Sequence, residues 1–138
     1  TIISQIASGI DKVKIGDLTP TRDLNFVKDT CNGFMALANS ENAIGETINI
    51  GSNFEISMGD LFNKIASLMN SNAIPVEDKM RIRPSKSEVT KLWCDNTKIK
   101  SLTGFKPQYS LDEGLKETIE WFLNKDNLIK YKANIYNV

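Results

Sequence analysis

Two serine-led helix starts, Ser57-Met58-Gly59-Asp60 and Ser110-Leu111-Asp112-Glu113, restrict the folding of this chain more than any other feature. In each, the serine hydroxyl can accept from a backbone N–H three residues on while the acidic side chain reaches back, so a helix begins there. Leu61, Ile65, Leu68 and Met69 then recur at helical spacing after the first start, and Leu115, Ile119 and Phe122 after the second. A further helical run, Leu24, Val27, Cys31, Met35 and Ala38, follows Asp23, which suits an N-cap, and stops at Asn39-Ser40. Ile2, Ile3, Ile6 and Ala7 predict a short helix ending near Gly9; Asp95 predicts another, with Ile99 and Leu102 inward and Gly104 at its end. Between these lie short strand-like runs. Lys12 to Ile15 alternates and stops at Gly16-Asp17, Thr47 to Ile50 sits between Gly45 and Gly51, and Ile74-Pro75-Val76 fits an edge strand.

The chain has 138 residues, 41% apolar and 25% charged, enough to bury one core as a single domain or part of one. Seventeen basic and seventeen acidic residues cancel, so no general field attracts nucleic acid or an anionic membrane, and any anion site must be local. The apolar runs fall short of the roughly 20 residues a membrane span needs, which with the absence of a leader pattern predicts a cytoplasmic protein. Cys31 and Cys94 form no C-x-x-C pair and read as small buried groups, and Trp93 and Trp121 read as core. The chain has no histidine, which excludes Ser-His-Asp and Cys-His machinery. It opens on Thr1 inside a helical pattern, so an upstream segment is expected.

Two arginine-carboxylate segments, Thr21-Arg22-Asp23 and Arg83-Pro84-Ser85-Lys86-Ser87-Glu88-Val89, flank the Thr47 to Ile50 run. A loop arginine can grip phosphate oxygens bidentately, and a nearby carboxylate can accept from sugar hydroxyls. Arg22 follows the extended Thr19-Pro20-Thr21 at a helix entrance, where an anion is favoured. The bland alternatives are a surface arginine paired with Asp17 or Asp23, a turn role for Asn49, and a solvated strip for Arg81 and Arg83.

Taken in order, these pieces resemble the C-terminal half of extended short-chain dehydrogenase/reductases that modify nucleotide sugars. The matching stretches are R-D-x-x-x-V-x-D (Arg22, Asp23, Val27, Asp29), the Ile48-Asn49-Ile50-Gly51 strand end, and the arginine loop with its carboxylate. Asp95, Lys98, Leu102, Gly104, Phe105 and Pro107 supply a D-x-x-K-x-x-x-L-G-W/F-x-P segment, and a last amphipathic helix follows. R-P-x-x-S-E-V, L-W-C-D-N-T-K, E-T-I-E-W-F and the closing Tyr131 to Val138 look more narrowly like NAD-dependent 4,6-dehydratases. Of these, the set most alike acts on nucleotide-activated N-acetylglucosamine in bacterial legionaminic-type sialic acid synthesis. Leu24, Phe26 and Ile48 depart mildly from the family wording.

The resemblance implies an α/β fold. Residues 1–138 would form the nucleotide-sugar-binding lobe of a Rossmann-type enzyme, with an edge strand (Thr47 to Ile50) and a covering helix (Leu24 to Ala38) of the NAD-binding sheet. Neither a G-x-x-G-x-x-G fingerprint nor a Y-x-x-x-K pair is present, so NAD and the catalytic residues are expected upstream of Thr1. There the sugar would be oxidised at C4, lose water across C5 and C6, and regain the hydride at C6. The resemblance assigns Arg22 and Arg83 to the diphosphate, Asn49 to the nucleotide end and Glu88 to the ribose hydroxyls, with no catalytic residue or metal in this chain. It also implies a homodimer for the complete enzyme. A 4-epimerase or decarboxylating relative on the same scaffold, and a non-catalytic binding module, stay open.

Overall fold

The computed structural model describes residues 1–82 and 89–133. The elements run α1 (Ile2–Ala7), β1 (Lys12–Ile15), β2 (Thr21–Asp23), α2 (Val27–Ala38), β3 (Glu55–Ser57), α3 (Met58–Leu68), β4 (Ile74–Glu77), β5 (Lys91–Leu92), α4 (Thr97–Thr103), α5 (Leu111–Leu123) and α6 (Lys125–Leu128). Single 3₁₀ turns occupy Glu41–Ala43 and Lys79–Arg81. The chain divides into two compact units. One comprises Thr1–Pro20, Ser57–Thr90 and Leu115–Val138, and the other Thr21–Ile56 and Lys91–Gly114.

In the first unit β1 and β4 pair in parallel, with Val13 opposite Pro75. Ile74 N–H donates to Asp11 C=O and Asp78 N–H to Ile15 C=O, both at 2.8 Å. Alternation turns the even-numbered donors of β4 toward β1, so the N–H that Pro75 lacks would have faced outward, as an edge strand tolerates. On β1, Val13 and Ile15 are buried while Lys12 and Lys14 are exposed, the alternation expected from the sequence. Lys14 meets the Gln5 side chain: its N–H donates to Gln5 Oε1 (2.9 Å) and its C=O accepts from Gln5 Nε2 (3.0 Å). Gln5 is buried with Ile2, Ile3 and Ser4, so the inward face of α1 includes an amide that the apolar spacing did not mark. Leu61, Phe62, Ile65 and Ala66 of α3 and Ile119 of α5 complete this core. The Ser57 cap forms as expected, accepting from Asp60 N–H at 3.0 Å.

In the second unit β2 is the middle strand of a three-stranded sheet, order β3-β2-β5, and pairs in parallel with β5. Ile99 of α4 and Phe105 are buried here, and Gly104 (φ 71°) ends α4 in the left-handed region as expected. The Ser110-Glu113 box closes reciprocally, the Glu113 carboxylate accepting from Ser110 N–H at 2.8 Å and Glu113 N–H donating to Ser110 Oγ at 3.3 Å.

Several expectations are corrected. Asp23 is no N-cap, because Thr21–Asp23 joins a sheet and α2 starts at Val27 with Phe26 as its cap. Residues 47–50 lie outside any strand, since no described residue pairs with them. On α2 the buried residues are Asp29 and Gly33, while Val27 (65%) and Met35 (63%) of the apolar stripe face outward. Cys31 lies on that stripe and is exposed; Cys94 is half-buried and also free. Trp93 and Trp121 are each nearly half exposed. Trp121 belongs to a surface cluster, edge-on to Phe122 at 5.0 Å and to Tyr131 at 5.8 Å.

Candidate functional site

Arg22 occupies the middle strand of the second unit's sheet, opposite Leu92, and not a loop. Its guanidinium Nη1 donates to Thr21 C=O at 2.8 Å. Successive strand side chains point to opposite faces, so Thr21 and Asp23 share one face and Arg22 has the other. On the shared face Thr21 Oγ1 donates to Glu55 (2.7 Å), whose other carboxylate oxygen is 2.6 Å from Lys91 Nζ. Lys91 first, and then Thr21, hold the Glu55 carboxyl below the usual range.

Asp23 is filled by the chain's own donors. Its Oδ1 accepts from Ser52 N–H (3.0 Å) and Ser52 Oγ (2.7 Å), and its Oδ2 from Asn53 N–H (2.9 Å) and Cys94 N–H (3.3 Å). A carboxylate offers about four lone-pair positions, so Asp23 is saturated and cannot also serve sugar hydroxyls. The arginine and carboxylate of this segment therefore do not act as one ligand site.

Asn49 is exposed on the irregular stretch 46–53, which side chains hold in place of a β-ladder. At its start Lys98 Nζ donates to Glu46 Oε2 (2.7 Å) and Thr47 C=O (3.0 Å). At its end the buried Asn96 Nδ2 donates to Gly51 C=O at 3.0 Å, and Asp23 takes the next two residues. Two glycines let this stretch approach closely. A Cβ on Gly33 of α2 would lie 2.6 Å from Ile50 Cγ2, and one on Gly51 would lie 2.4 Å from Cys94 Cβ. Asn49 is three residues from Ser52, at most about 11 Å of extended chain, so Asp23 ties its stretch to the strand that carries Arg22. Arg83 and Glu88 lie outside the described residues.

An open hollow of about 510 Å³ adjoins this stretch, lined by residues including Leu37, Ala38, Glu41, Ile44, Glu46 and Ile48. Its two carboxylates, Glu41 and Glu46, make it unsuited to phosphate. Among the described residues no group of His, Cys, Asp and Glu is arranged to hold a metal, and no helix is long and apolar enough to cross a membrane.

The family profile described as GDP-mannose 4,6 dehydratase matches residues 1–118. The chain belongs to the GDP-mannose 4,6-dehydratase family. It is 35% identical over 124 residues to a UDP-N-acetyl-α-D-glucosaminuronate decarboxylase of Bacillus cytotoxicus, covering 86% of this chain and 37% of that one. Its fold matches an epimerase of Methanothermobacter thermautotrophicus with a TM-score of 0.82 and 32% identity, over 94% of this chain and 38% of that one. It also matches the UDP-glucuronic acid 4-epimerase of Bacillus cereus in complex with UDP-glucuronic acid and NAD, with a TM-score of 0.76 and 26% identity, over 94% and 38%. The chain thus spans less than two fifths of the length of these relatives. It is an α/β portion of the extended short-chain dehydrogenase/reductase fold, whose members here include dehydratases, epimerases and decarboxylases.

Within this family's R-D-x-x-x-V-x-D stretch, the last carboxylate is structural as well. Asp29 is fully buried and accepts from Gln108 N–H (2.8 Å) and Tyr109 N–H (3.1 Å), fixing the segment before α5 to α2. The roles of Asp23 and Ser52 here have no local signature in the sequence, where Asp23 suits an N-cap. The available signal for Asn96 was its position beside Asp95, whose carboxylate accepts from Thr97 N–H at 2.9 Å: one of two adjacent polar residues suffices there.

Proposed function

We propose that this chain supplies the nucleotide-sugar-binding part of an NAD-dependent nucleotide-sugar 4,6-dehydratase. Arg22 and Arg83 grip the diphosphate, Asn49 meets the nucleotide end, and Glu88 accepts from the ribose hydroxyls. The observation that supports this reading is the tie, within one unit, between Arg22's strand and the stretch that carries the exposed Asn49, made by Asp23 accepting from Ser52 and Asn53 N–H. Holding the diphosphate orients the hexose for reaction, so the contribution of these residues is positioning. NAD, expected to be held upstream of Thr1, would supply the hydride acceptor and donor. The substrate is a nucleotide-activated N-acetylglucosamine (UDP-, GDP- or dTDP-linked) of the legionaminic-type sialic acid route, and the complete enzyme is a cytoplasmic homodimer.

A 4-epimerase is the second reading, favoured by the likeness to the Methanothermobacter and Bacillus cereus epimerases. Incubating the full-length protein with UDP-N-acetylglucosamine and NAD separates the two, because a dehydratase gives a 4-keto-6-deoxy sugar and an epimerase the C4 epimer, distinct by NMR. Binding without turnover would leave the non-catalytic module. Arg22→Ala or Arg83→Ala is expected to weaken nucleotide-sugar binding by about 1.5 to 3 kcal/mol by calorimetry, the scale of a charge-assisted hydrogen bond, with the fold intact. Unchanged affinity with a large fall in melting temperature would mark these arginines as structural.

A further inference from the structure

We propose that Asp23 is a positioning residue for the nucleotide-diphosphate site, setting the spacing between Arg22 and Asn49 without touching the ligand. This rests on the binding reading above.

Three observations carry it. Asp23 is the residue next to Arg22 on β2 and points to the opposite face, so its carboxylate cannot share a ligand with the guanidinium. All four of its acceptor positions are taken by Ser52, Asn53 and Cys94 at 2.7 to 3.3 Å. Those partners are the tail of the Asn49 stretch and Cys94, two residues beyond β5, the strand paired with β2. The stretch has no ladder of its own among the described residues, so its distance from β2 is set by these side-chain bonds and by the Asn96 bond to Gly51 C=O. Asn53 adopts a left-handed conformation (φ 63°), which asparagine tolerates better than most non-glycine residues. In that conformation its N–H donates to Asp23. If the carboxylate becomes an amide, one face of the group turns from acceptor to donor, and the N–H groups of Ser52 and Asn53 can no longer both be satisfied.

The test is calorimetric titration of the full-length protein with UDP, comparing wild type, Arg22→Ala, Asp23→Asn and the double variant, with melting temperatures measured alongside. Asp23→Asn is expected to weaken UDP binding about five- to tenfold. In the Arg22→Ala background the same change is expected to cost less than half as much, because there is no longer a guanidinium to hold in register. A purely structural role would lower the melting temperature and give an undiminished loss in both backgrounds, which would overturn the proposal. Wild-type affinity in Asp23→Asn, alongside a weakened Arg22→Ala, would overturn it too while leaving the binding reading standing. If wild type does not bind UDP, or Arg22→Ala binds as wild type, the binding reading fails and the proposal with it. Should Asp23→Asn not fold, Ser52→Ala removes one of the four donors and is expected to show the same pattern at about two- to threefold; its absence there counts against the proposal equally.

Discussion

Asp29 illustrates how a charged residue can be more deeply placed than the apolar residues around it. It is fully buried on α2 while Val27 and Met35 face outward, and it serves two backbone N–H groups from a segment some eighty residues along the chain. Asp29→Asn keeps the shape but leaves one of those N–H groups without an acceptor, so a loss of about 1 to 3 kcal/mol is expected in denaturant unfolding. Lysine at both Val27 and Met35 in the same chain is expected to change stability by less than about 0.5 kcal/mol, the usual range for surface positions. A larger loss from the lysines would show that the stripe faces inward. The two cysteines differ in a related way. Burial, followed by the charges of Asp23 and Asp95, pushes the Cys94 thiol up, so its thiolate forms only at higher pH than that of an ordinary cysteine. Iodoacetamide is therefore expected to label the exposed Cys31 first, with Cys94 following only in more alkaline solution. Mass spectrometry of the labelled peptides across pH reads this out.

The stretch 46–53 differs most between its sequence pattern and its structure. Its Thr-Ile-Asn-Ile wording is strand-like, but a strand exists only where something pairs with it, and a single sequence does not display the partner. By contrast, the capping boxes at Ser57 and Ser110 and the alternation of β1 were legible, because all their partners lie within a few residues. Arg22 and Asn49 are marked by residue type and order; the bonds that connect their segments join positions 29 and 30 residues apart and carry no local signature. The glycines of this region predict unequal outcomes. Gly51→Ala sets a methyl against Cys94 Cβ, which has no flexible end to swing away, and an overpacking loss of about 1 to 3 kcal/mol is expected. Gly33→Ala meets only the Ile50 side chain and gains about 1 kcal/mol of helix propensity, so its net effect is expected to be much smaller. Equal losses in thermal melts would contradict this packing. The Lys98 hydrogen bond and charge hold the Glu46 carboxyl below the usual range. A depressed carboxyl contributes stability above the ordinary glutamate range and loses it as pH falls through the folded value. In an NMR acid titration the Asn49 amide is thus expected to move with Glu46, below the pH at which a free glutamate titrates.

With no G-x-x-G-x-x-G fingerprint and no Y-x-x-x-K pair, the 138-residue chain by itself is expected to turn over no nucleotide sugar, with or without NAD. Product formation by the purified chain, followed by NMR, would refute that. The parallel pair of the first unit has a separate consequence. A two-stranded sheet has two rims, and each is a template on which a foreign strand can grow. Here one rim is broken at its centre by Pro75, which has no N–H to offer, and on the other the Lys14 peptide is already engaged by the Gln5 amide. A protein built this way has little to recruit a neighbour by edge-to-edge zipping at that sheet. Gln5→Leu, which keeps the bulk but leaves the Lys14 N–H and C=O without this partner, is expected to favour association at that margin, read by sedimentation of the variant beside the wild type.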